Sequence, residues 1–188
     1  MKVAVLSSGG KDSSAAIWWA QCKGWDLTHL VTVIVEGDDS WMLQIPGVSL
    51  VERQAALCNC GWLSVKTKGV QEEEVRDLEN ALKGLDIDAI VSGALRSDYQ
   101  KTRLERMAER LGIKSFTPLW HQSSDSHMNE LVNNGFKVMI SGVSSDGLGE
   151  KWLGHTLTSK SLKELSLLAS KYRFNVDGEG GEYETLVI

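Results

Sequence analysis

Residues 8–13 are of the types that bind phosphate at the start of a helix. They read Ser-Gly-Gly-Lys-Asp-Ser, they follow the apolar run 3–6, and a helical pattern begins near Ser14. Adjacent glycines allow a tight turn that brings the backbone close to an anion, and the first N–H groups of a helix point at the same place. The pattern therefore predicts a phosphate-binding loop between a strand and a helix.

Asp12 distinguishes this loop from a Walker A loop. In G-x-x-x-x-G-K-[ST] a glycine begins the motif and Ser or Thr follows the lysine, whereas Val5 and Asp12 occupy those positions here. A carboxylate beside bound phosphates has to hold a metal ion, accept hydrogen bonds that shape the loop, or do both. The alternative interpretation is a glycine-rich turn in which Asp12 only caps the helix.

The S-G-G-x-D-S pattern after a first strand resembles the signature of the PP-loop, or N-type, ATP pyrophosphatases. Members of that superfamily bind ATP, transfer its adenylyl group to a substrate oxygen and release pyrophosphate. The resemblance implies Mg²⁺ at Asp12 and an ATP site formed by Ser8, Gly9, Gly10, Lys11, Asp12 and Ser13. Thiolation, amidation and ligation enzymes share the motif, so it leaves the substrate open.

Composition narrows the class of protein. A length of 188 residues with 42% hydrophobic residues suits one α/β domain, and a net charge of −5 argues against a main role in binding nucleic acid. No stretch approaches the roughly 18 apolar residues that cross a bilayer, so we expect a cytoplasmic protein without a membrane partner. Without C-x-x-C spacing, the cysteines at 22, 58 and 60 are expected to be packed thiols. The oligomeric state, a homodimer included, stays open.

Apolar β-branched runs alternate with helical patterns, which is typical of a parallel sheet covered on both faces. Strands are expected at 2–6, 27–35, 62–67, 88–92 and 136–142, with a short extended piece at 116–119. Capping boxes predict helix starts at Ser49, Ser97 and Ser161. The alternation predicts the fold class α/β, and the resemblance to the PP-loop enzymes implies a Rossmann-like three-layer sandwich of the HUP, or adenine nucleotide alpha hydrolase-like, type. We expect one domain over 1–188, with a small substrate-binding part at about 118–188.

Gly93 is predicted to lie at the carboxyl edge of the sheet, where open α/β folds bind ligands. A side chain there would crowd a nucleotide, so Gly93 is expected to face it. Just beyond, Asp98, Tyr99 and Arg103 place an anion, a ring and a cation at the start of a helix. This mixture suits a charged substrate, although a capping box with ordinary surface charge explains it equally well.

Residues 177–185 combine three glycines with three glutamates and make a poor helix and a poor strand. One interpretation is a flexible acidic tail. The apolar residues 186–188 that follow favour the other interpretation, an ordered acidic loop that binds a cation or ammonium.

Six segments together resemble the diphthine–ammonia ligases of the short archaeal type, nearly end to end. They are S-G-G-K-D-S at 8–13, D-S-Y-M with one change at 39–42, G-A-x-x-S-D-Y-Q at 93–100, P-L-W at 118–120, W-L-G at 152–154 and E-G-G-E-Y-E-T-L-V at 179–187. Two departures are Trp41, where that family usually has Tyr, and His155, where Arg is usual.

The resemblance implies ATP-dependent amidation of diphthine on translation elongation factor 2, through an acyl-adenylate that ammonia attacks. It implies catalytic roles for Asp12, Glu182 and Glu184, with glutamates that attract ammonium or the trimethylammonium group of diphthine and rings that contact that group. The implied substrate-binding residues are Trp41, Asp98, Tyr99, Arg103, Glu179, Gly180, Gly181, Glu182, Tyr183 and Glu184. The alternatives are another PP-loop ATP pyrophosphatase, such as a tRNA-modifying enzyme, and an adenine-nucleotide sensor without catalysis.

Overall fold

Strands and helices alternate through the first 116 residues of the computed structural model, which describes residues 1–35 and 41–188 without the side chains of 41–48 and 71. The elements are β1 (Lys2–Leu6), α1 (Lys11–Cys22), β2 (Asp26–Val35), α2 (Trp41–Leu57), β3 (Gly61–Thr67), α3 (Gln71–Leu82), β4 (Ala89–Val91), α4 (Asp98–Leu111) and β5 (Lys114–Phe116). The five strands form one parallel sheet in the order β3-β2-β1-β4-β5.

Side-chain alternation along β1 explains why helices cover both faces of this sheet. Val3 and Val5 point into a core shared with α1 and α2, whereas Ala4 belongs to a second core that α3 and α4 close. Successive strand residues face opposite sides, so a strand that is apolar at every position needs a helical layer on each face. The predicted three-layer α/β fold is therefore confirmed.

The order of strands in the sheet reverses direction between β1 and β4. From β1 the chain runs outward through β2 to β3, and the later strands β4 and β5 lie on the other side of β1. The connections that leave β1 and β4 therefore diverge, and they open a crevice at the carboxyl ends of these two strands. Both the loop at 8–10 and Gly93 follow these strand ends.

The chain divides into two compact units, Met1–Trp120 and His121–Ile188. The second unit contains α5 (Ser124–Asn133), β6 (Val138–Val143), a 3₁₀ turn (Glu150–Trp152), α6 (Ser159–Tyr172) and β7 (Tyr183–Val187). Strands β6 and β7 pair antiparallel in a separate two-stranded sheet.

The expectation that residues 136–142 contribute to the parallel sheet was wrong. Strand β6 pairs with β7 on one edge, and Ile140 exchanges backbone hydrogen bonds with Gly154 and His155 on the other. Both edges are thus occupied by the second unit itself. The extended piece expected at 116–119 overlaps β5 only at Phe116, and residues 118–120 form a turn.

Two of the three predicted helix starts were wrong. Ser97 is the N-cap of α4, and its hydroxyl accepts a hydrogen bond from the N–H of Gln100. Ser49 instead lies inside α2. Ser161 is the third residue of α6, whose N-cap is Thr158, and these two side chains form the capping box. The S-x-x-E pattern misled here because Thr158 also lies three residues before a hydroxyl that can cap.

The cysteines differ in their surroundings. Cys58 and Cys60 are half-buried against the core of the first unit, and burial raises the pKa of the Cys60 thiol to about 11. Cys22 is exposed at the end of α1, so the expectation of a packed thiol was wrong for this residue. A thiol with a raised pKa is protonated at neutral pH and is a poor nucleophile.

Candidate functional site

The loop at 8–10 is held against the N-terminus of α1 by short polar contacts. Gly9 has φ +82°, in the left-handed region that glycine adopts without strain, and Gly10 is the N-cap residue. The Ser7 hydroxyl accepts from the N–H of Gly9 at 3.3 Å, and the Ser13 hydroxyl donates to the carbonyl of Gly10 at 3.0 Å. The backbone is thereby shaped in advance at a helix terminus that favours anions.

Lys11 and Asp12 form an ion pair within this loop. The Lys11 side chain is 5% exposed, and its Nζ donates to Oδ2 of Asp12 at 2.8 Å. A cation this buried requires a partner, because removing an unpaired charge from water costs several kcal/mol. One of the two roles expected of Asp12, to accept hydrogen bonds inside the loop, is therefore present in the structure.

Gly93 packs directly on the backbone of the loop. A Cβ at this position would lie 2.6 Å from the carbonyl carbon and oxygen of Asp12 and 2.8 Å from the nitrogen of Ser13. The end of β4 can thus approach the first turn of α1 only through glycine. The structure gives Gly93 a packing role that the sequence did not suggest, and its contact with the nucleotide stays a prediction.

Two buried hydroxyls beside the loop were missed by sequence reasoning. Ser14 and Ser92 are 7% and 5% exposed, and neither hydroxyl has a hydrogen-bond partner among the residues that the structure describes. A buried hydroxyl without a hydrogen bond lowers the stability of the fold by about 1–3 kcal/mol unless a ligand or water forms that bond. Ser14 lies in the first turn of α1, and Ser92 directly precedes Gly93. The sequence did contain a signal for both, because Ser14 follows the 8–13 motif and Ser92 precedes Gly93.

These features fit the phosphates of ATP. The site offers a glycine turn, the amides of a helix start, a buried lysine and two hydroxyl groups that have no partner among the described residues. Together these are the donors that phosphate oxygens accept from. For Mg²⁺ the fit is narrower, since the described residues contain no group of three His, Cys, Asp or Glu side chains that could hold a metal. Asp12 would supply one oxygen ligand, which suits an ion bound mainly by phosphates.

The residues predicted at the start of α4 make contacts with protein groups. Arg103 donates to Oε1 of Glu72 on α3 at 2.7 Å, and its guanidinium lies 3.5 Å from the ring centre of Tyr99. Asp98 is exposed in the first turn of α4, after the Ser97 cap. These contacts match the capping and surface-charge interpretation, and the substrate roles of Asp98, Tyr99 and Arg103 stay predictions.

The acidic loop of the second unit is organised around Glu182. Its Oε1 accepts from the backbone N–H of Asn175 at 2.7 Å and from Nδ2 of Asn175 at 2.9 Å. Its Oε2 accepts from the N–H of Gly180 at 2.7 Å. The contacts of this carboxylate are therefore with its own loop. Asn175 was missed by sequence reasoning, because nothing in the spacing of the two residues signals the contact.

The other acidic-loop residues differ in exposure. Tyr183 is 3% exposed, and its hydroxyl donates to the carbonyl of Val176 at 2.6 Å, so the ring has a packing role in place of the open face expected for a ligand. Glu179 donates its N–H to Oδ1 of the buried Asp177. Glu184 is exposed in β7, and the described part of the chain offers its carboxylate no hydrogen bond. The binding roles of Glu179, Gly180, Gly181 and Glu184 stay predictions.

The structure does not describe two parts of the predicted substrate site. Residues 39 and 40 are not among the described residues, and Trp41 begins α2 without a described side chain. The predicted contact of Trp41 with a quaternary ammonium group therefore stays a prediction. None of the helices in the described ranges has the length and apolar character to cross a bilayer.

Comparison with protein families finds a matching family model for each of the two units. Residues 1–115 match the family described as "Diphthamide synthase N-terminal domain", and residues 123–188 match "Diphthamide synthase C-terminal domain". The two matches meet near the division between the compact units at Trp120 and His121.

Individual relatives carry a related name. A protein of Schizosaccharomyces pombe named diphthine–ammonia ligase is 32% identical over the whole chain, which spans 34% of that relative's length. Proteins of the same name from Mus musculus and Homo sapiens are 31% identical, and the chain spans 79% of each.

A solved structure supports the fold independently. The crystal structure of a predicted subunit of tRNA methyltransferase from Methanocaldococcus jannaschii aligns with a TM-score of 0.53, and the alignment covers 98% of this chain and 95% of the other. The sequences are 18% identical, so this similarity concerns the fold alone.

Proposed function

Because this chain belongs to the diphthamide synthase family, we propose that it is an ATP-dependent diphthine–ammonia ligase. The observation that carries the proposal is the family match to both units, over 1–115 and 123–188, together with the 8–13 loop at the reversal of strand order. In this reaction the carboxylate of diphthine on elongation factor 2 becomes an amide, with ATP and ammonium as the other substrates.

The first step forms an acyl-adenylate. A carboxylate oxygen of diphthine attacks the α-phosphorus of ATP, the bond to the bridging oxygen of the β-phosphate breaks, and pyrophosphate leaves. The loop amides and the hydroxyls of Ser14 and Ser92 stabilise the phosphate charge as it moves to pyrophosphate. Lys11 supplies a cation, and Asp12 balances it or, when Mg²⁺ accompanies ATP, contributes an oxygen ligand.

The second step forms the C–N bond. Ammonium first gives up one proton; the resulting ammonia attacks the acyl carbon, AMP departs with the former carboxylate oxygen, and the nitrogen loses one further proton to reach the amide. Glu184 is the carboxylate of the acidic loop that we assign to attract ammonium and accept a proton, because it is exposed and unpaired among the described residues. Glu182 differs, since both of its oxygens already accept hydrogen bonds.

Pyrophosphate release by an Asp12→Asn variant tests the proposal. Asp86→Asn is the matched control. Asp86 lies before β4, near the amino ends of the strands and away from the 8–13 loop at their carboxyl ends, and it pairs with Lys2 on the surface. With Mg²⁺-ATP, ammonium and diphthine-bearing elongation factor 2, we expect D86N to match the wild type and D12N to lose at least 100-fold of its rate (about 3 kcal/mol of transition-state stabilisation). Full turnover by folded D12N would contradict the role of the loop.

ATP binding by the wild-type protein without pyrophosphate release would contradict the proposed function. If the wild-type protein binds ATP tightly but releases no pyrophosphate with this substrate, the diphthine assignment fails. Such a result would favour an adenine-nucleotide sensor.

A further inference from the structure

Glu182 closes the acidic loop in the second unit. Its two carboxylate oxygens accept three N–H donors, two from Asn175 and one from Gly180, at 2.7–2.9 Å. Hydrogen bonds to a charged group are stronger than neutral ones, and each carboxylate oxygen here has at least one donor. The segment from Asn175 to Glu182 is therefore a ring closed by one side chain.

Neighbouring residues add further contacts that hold this ring. A Cβ on Gly180 would lie 2.7 Å from Oε1 of Glu182, so a larger residue there would displace the carboxylate from its present position. The carbonyl of Glu182 accepts from the N–H of Ser144, which follows β6, at 2.9 Å. The buried Tyr183 hydroxyl donates to Val176 inside the ring. The loop is thus anchored at both its ends and its middle.

The anchored loop forms one wall of an open polar cleft of about 420 Å³. The lining residues are Ser144, Ser145, Asp146, Tyr172, Arg173, Phe174, Gly180, Gly181 and Glu182. The cleft carries both signs of charge, from Arg173 and Asp146, beside the ring of Phe174. A carboxylate group of a ligand can pair with the Arg173 guanidinium, and a quaternary ammonium group of a ligand can contact the Asp146 carboxylate and the Phe174 ring.

We propose that this cleft receives the modified side chain of the acceptor protein, and that Glu182 is a positioning residue that holds the cleft wall. The inference rests on the proposed function for the identity of the side chain. Glu182 acts through the loop and leaves direct contact with the cationic substrate to other groups. This assignment separates Glu182 from Glu184, although the sequence presents the two as equivalent.

Asn175 distinguishes positioning from direct contact. Asn175→Ala removes one donor to the carboxylate and leaves the charge of Glu182 in place. Glu182→Gln keeps the size but turns an amide group toward an N–H donor, which breaks a contact. If Glu182 acts through the loop, both variants raise the KM for diphthine-bearing elongation factor 2 by about tenfold, with kcat and the KM for ATP within twofold of wild type. The double variant is then little worse than Glu182→Gln alone.

Asn134→Ala is the matched control, because its side-chain amide also donates one hydrogen bond of 2.8 Å, to the carbonyl of Glu130 on the surface of α5. The control should retain wild-type kinetics. Wild-type kinetics in folded Asn175→Ala, with a large loss in Glu182→Gln, would overturn the proposal and assign the carboxylate to the substrate. Unchanged KM in both variants would overturn it equally.

Amide hydrogen exchange tests the same proposal without turnover. The N–H groups of Asn175 and Gly180 should be protected in the wild type and exchange at least tenfold faster in Glu182→Gln. Diphthine-bearing elongation factor 2 should slow exchange at 175–182 further, and unmodified factor should not. If wild-type protein shows this protection but no turnover, the proposed function fails while the positioning role stands; equal exchange in wild type and variant would refute the positioning role itself.

Discussion

Replacing Gly93 by alanine should damage both the fold and the nucleotide loop. The new Cβ would lie 2.6 Å from backbone atoms of Asp12, whereas ordinary contact begins at 3.4 Å, so the atoms would have to separate by about 0.8 Å. Because both partners are backbone, no side chain can rotate away. Overpacking of this kind costs about 1–3 kcal/mol. For a chain of this size, about 2 kcal/mol corresponds to a fall in Tm of roughly 4–8 °C.

The same displacement should weaken ATP binding. A shift of this size at the start of α1 moves the loop amides out of place, and we expect the Kd for Mg²⁺-ATP, measured by calorimetry, to rise by about tenfold or more. Gly84→Ala is the matched control, since a Cβ at Gly84 meets no atom within 4 Å. Wild-type Tm in Gly93→Ala would refute the packing argument. A lowered Tm with unchanged ATP affinity would refute the link between Gly93 and the loop.

Three further predictions concern stability and reactivity. Arg173 caps α6 at φ +60°, so Arg173→Gly should raise the free energy of unfolding by about 0.5–1 kcal/mol, and a decrease in urea titrations would contradict the strain argument. The hydrogen bond from Arg110 lowers the pKa of Glu79, so its stabilisation is present above the unfolded pKa of about 4.3 and is lost as pH falls through the lower folded value. Glu79→Gln should therefore flatten the fall in urea midpoint on acidification below about pH 4, and an unchanged acid slope would exclude this ion pair as a cause. Ellman's reagent at neutral pH should modify exposed Cys22 rapidly and Cys60 slowly, because burial raises the Cys60 pKa to about 11; equal rates in the native protein would contradict that burial.

The fold was predictable where periodicity is local. The runs that form β1 and β2 are rich in apolar and β-branched residues, which predicts strands, and the structure has them as neighbours in a parallel sheet. Strand β6 reads the same way in sequence but pairs with β7, about 45 residues later, in its own sheet. A strand's partner depends on which edges the rest of the chain covers, and the sequence of that strand alone does not carry this information.

The part of the candidate site that is formed by one continuous segment was predictable from the sequence. The 8–13 loop has its strand, turn and helix start in sequence, so its geometry follows from local rules. The contact between Glu182 and Asn175 depends on how the loop closes, and the pair of Arg103 with Glu72 joins residues 31 apart on different helices. Charge and residue type suggested ligands at Glu182 and Arg103, whereas tertiary contacts supply protein partners for both.

The most direct measurement follows nitrogen from ammonium into elongation factor 2. Purified protein, Mg²⁺-ATP and ¹⁵N-labelled ammonium are incubated with diphthine-bearing factor, and AMP, pyrophosphate and the labelled modified histidine are quantified together. We expect one AMP, one pyrophosphate and one labelled amide per turnover, with none from unmodified factor. Pyrophosphate without labelled amide, or no product at all from protein that binds ATP, would contradict the assignment.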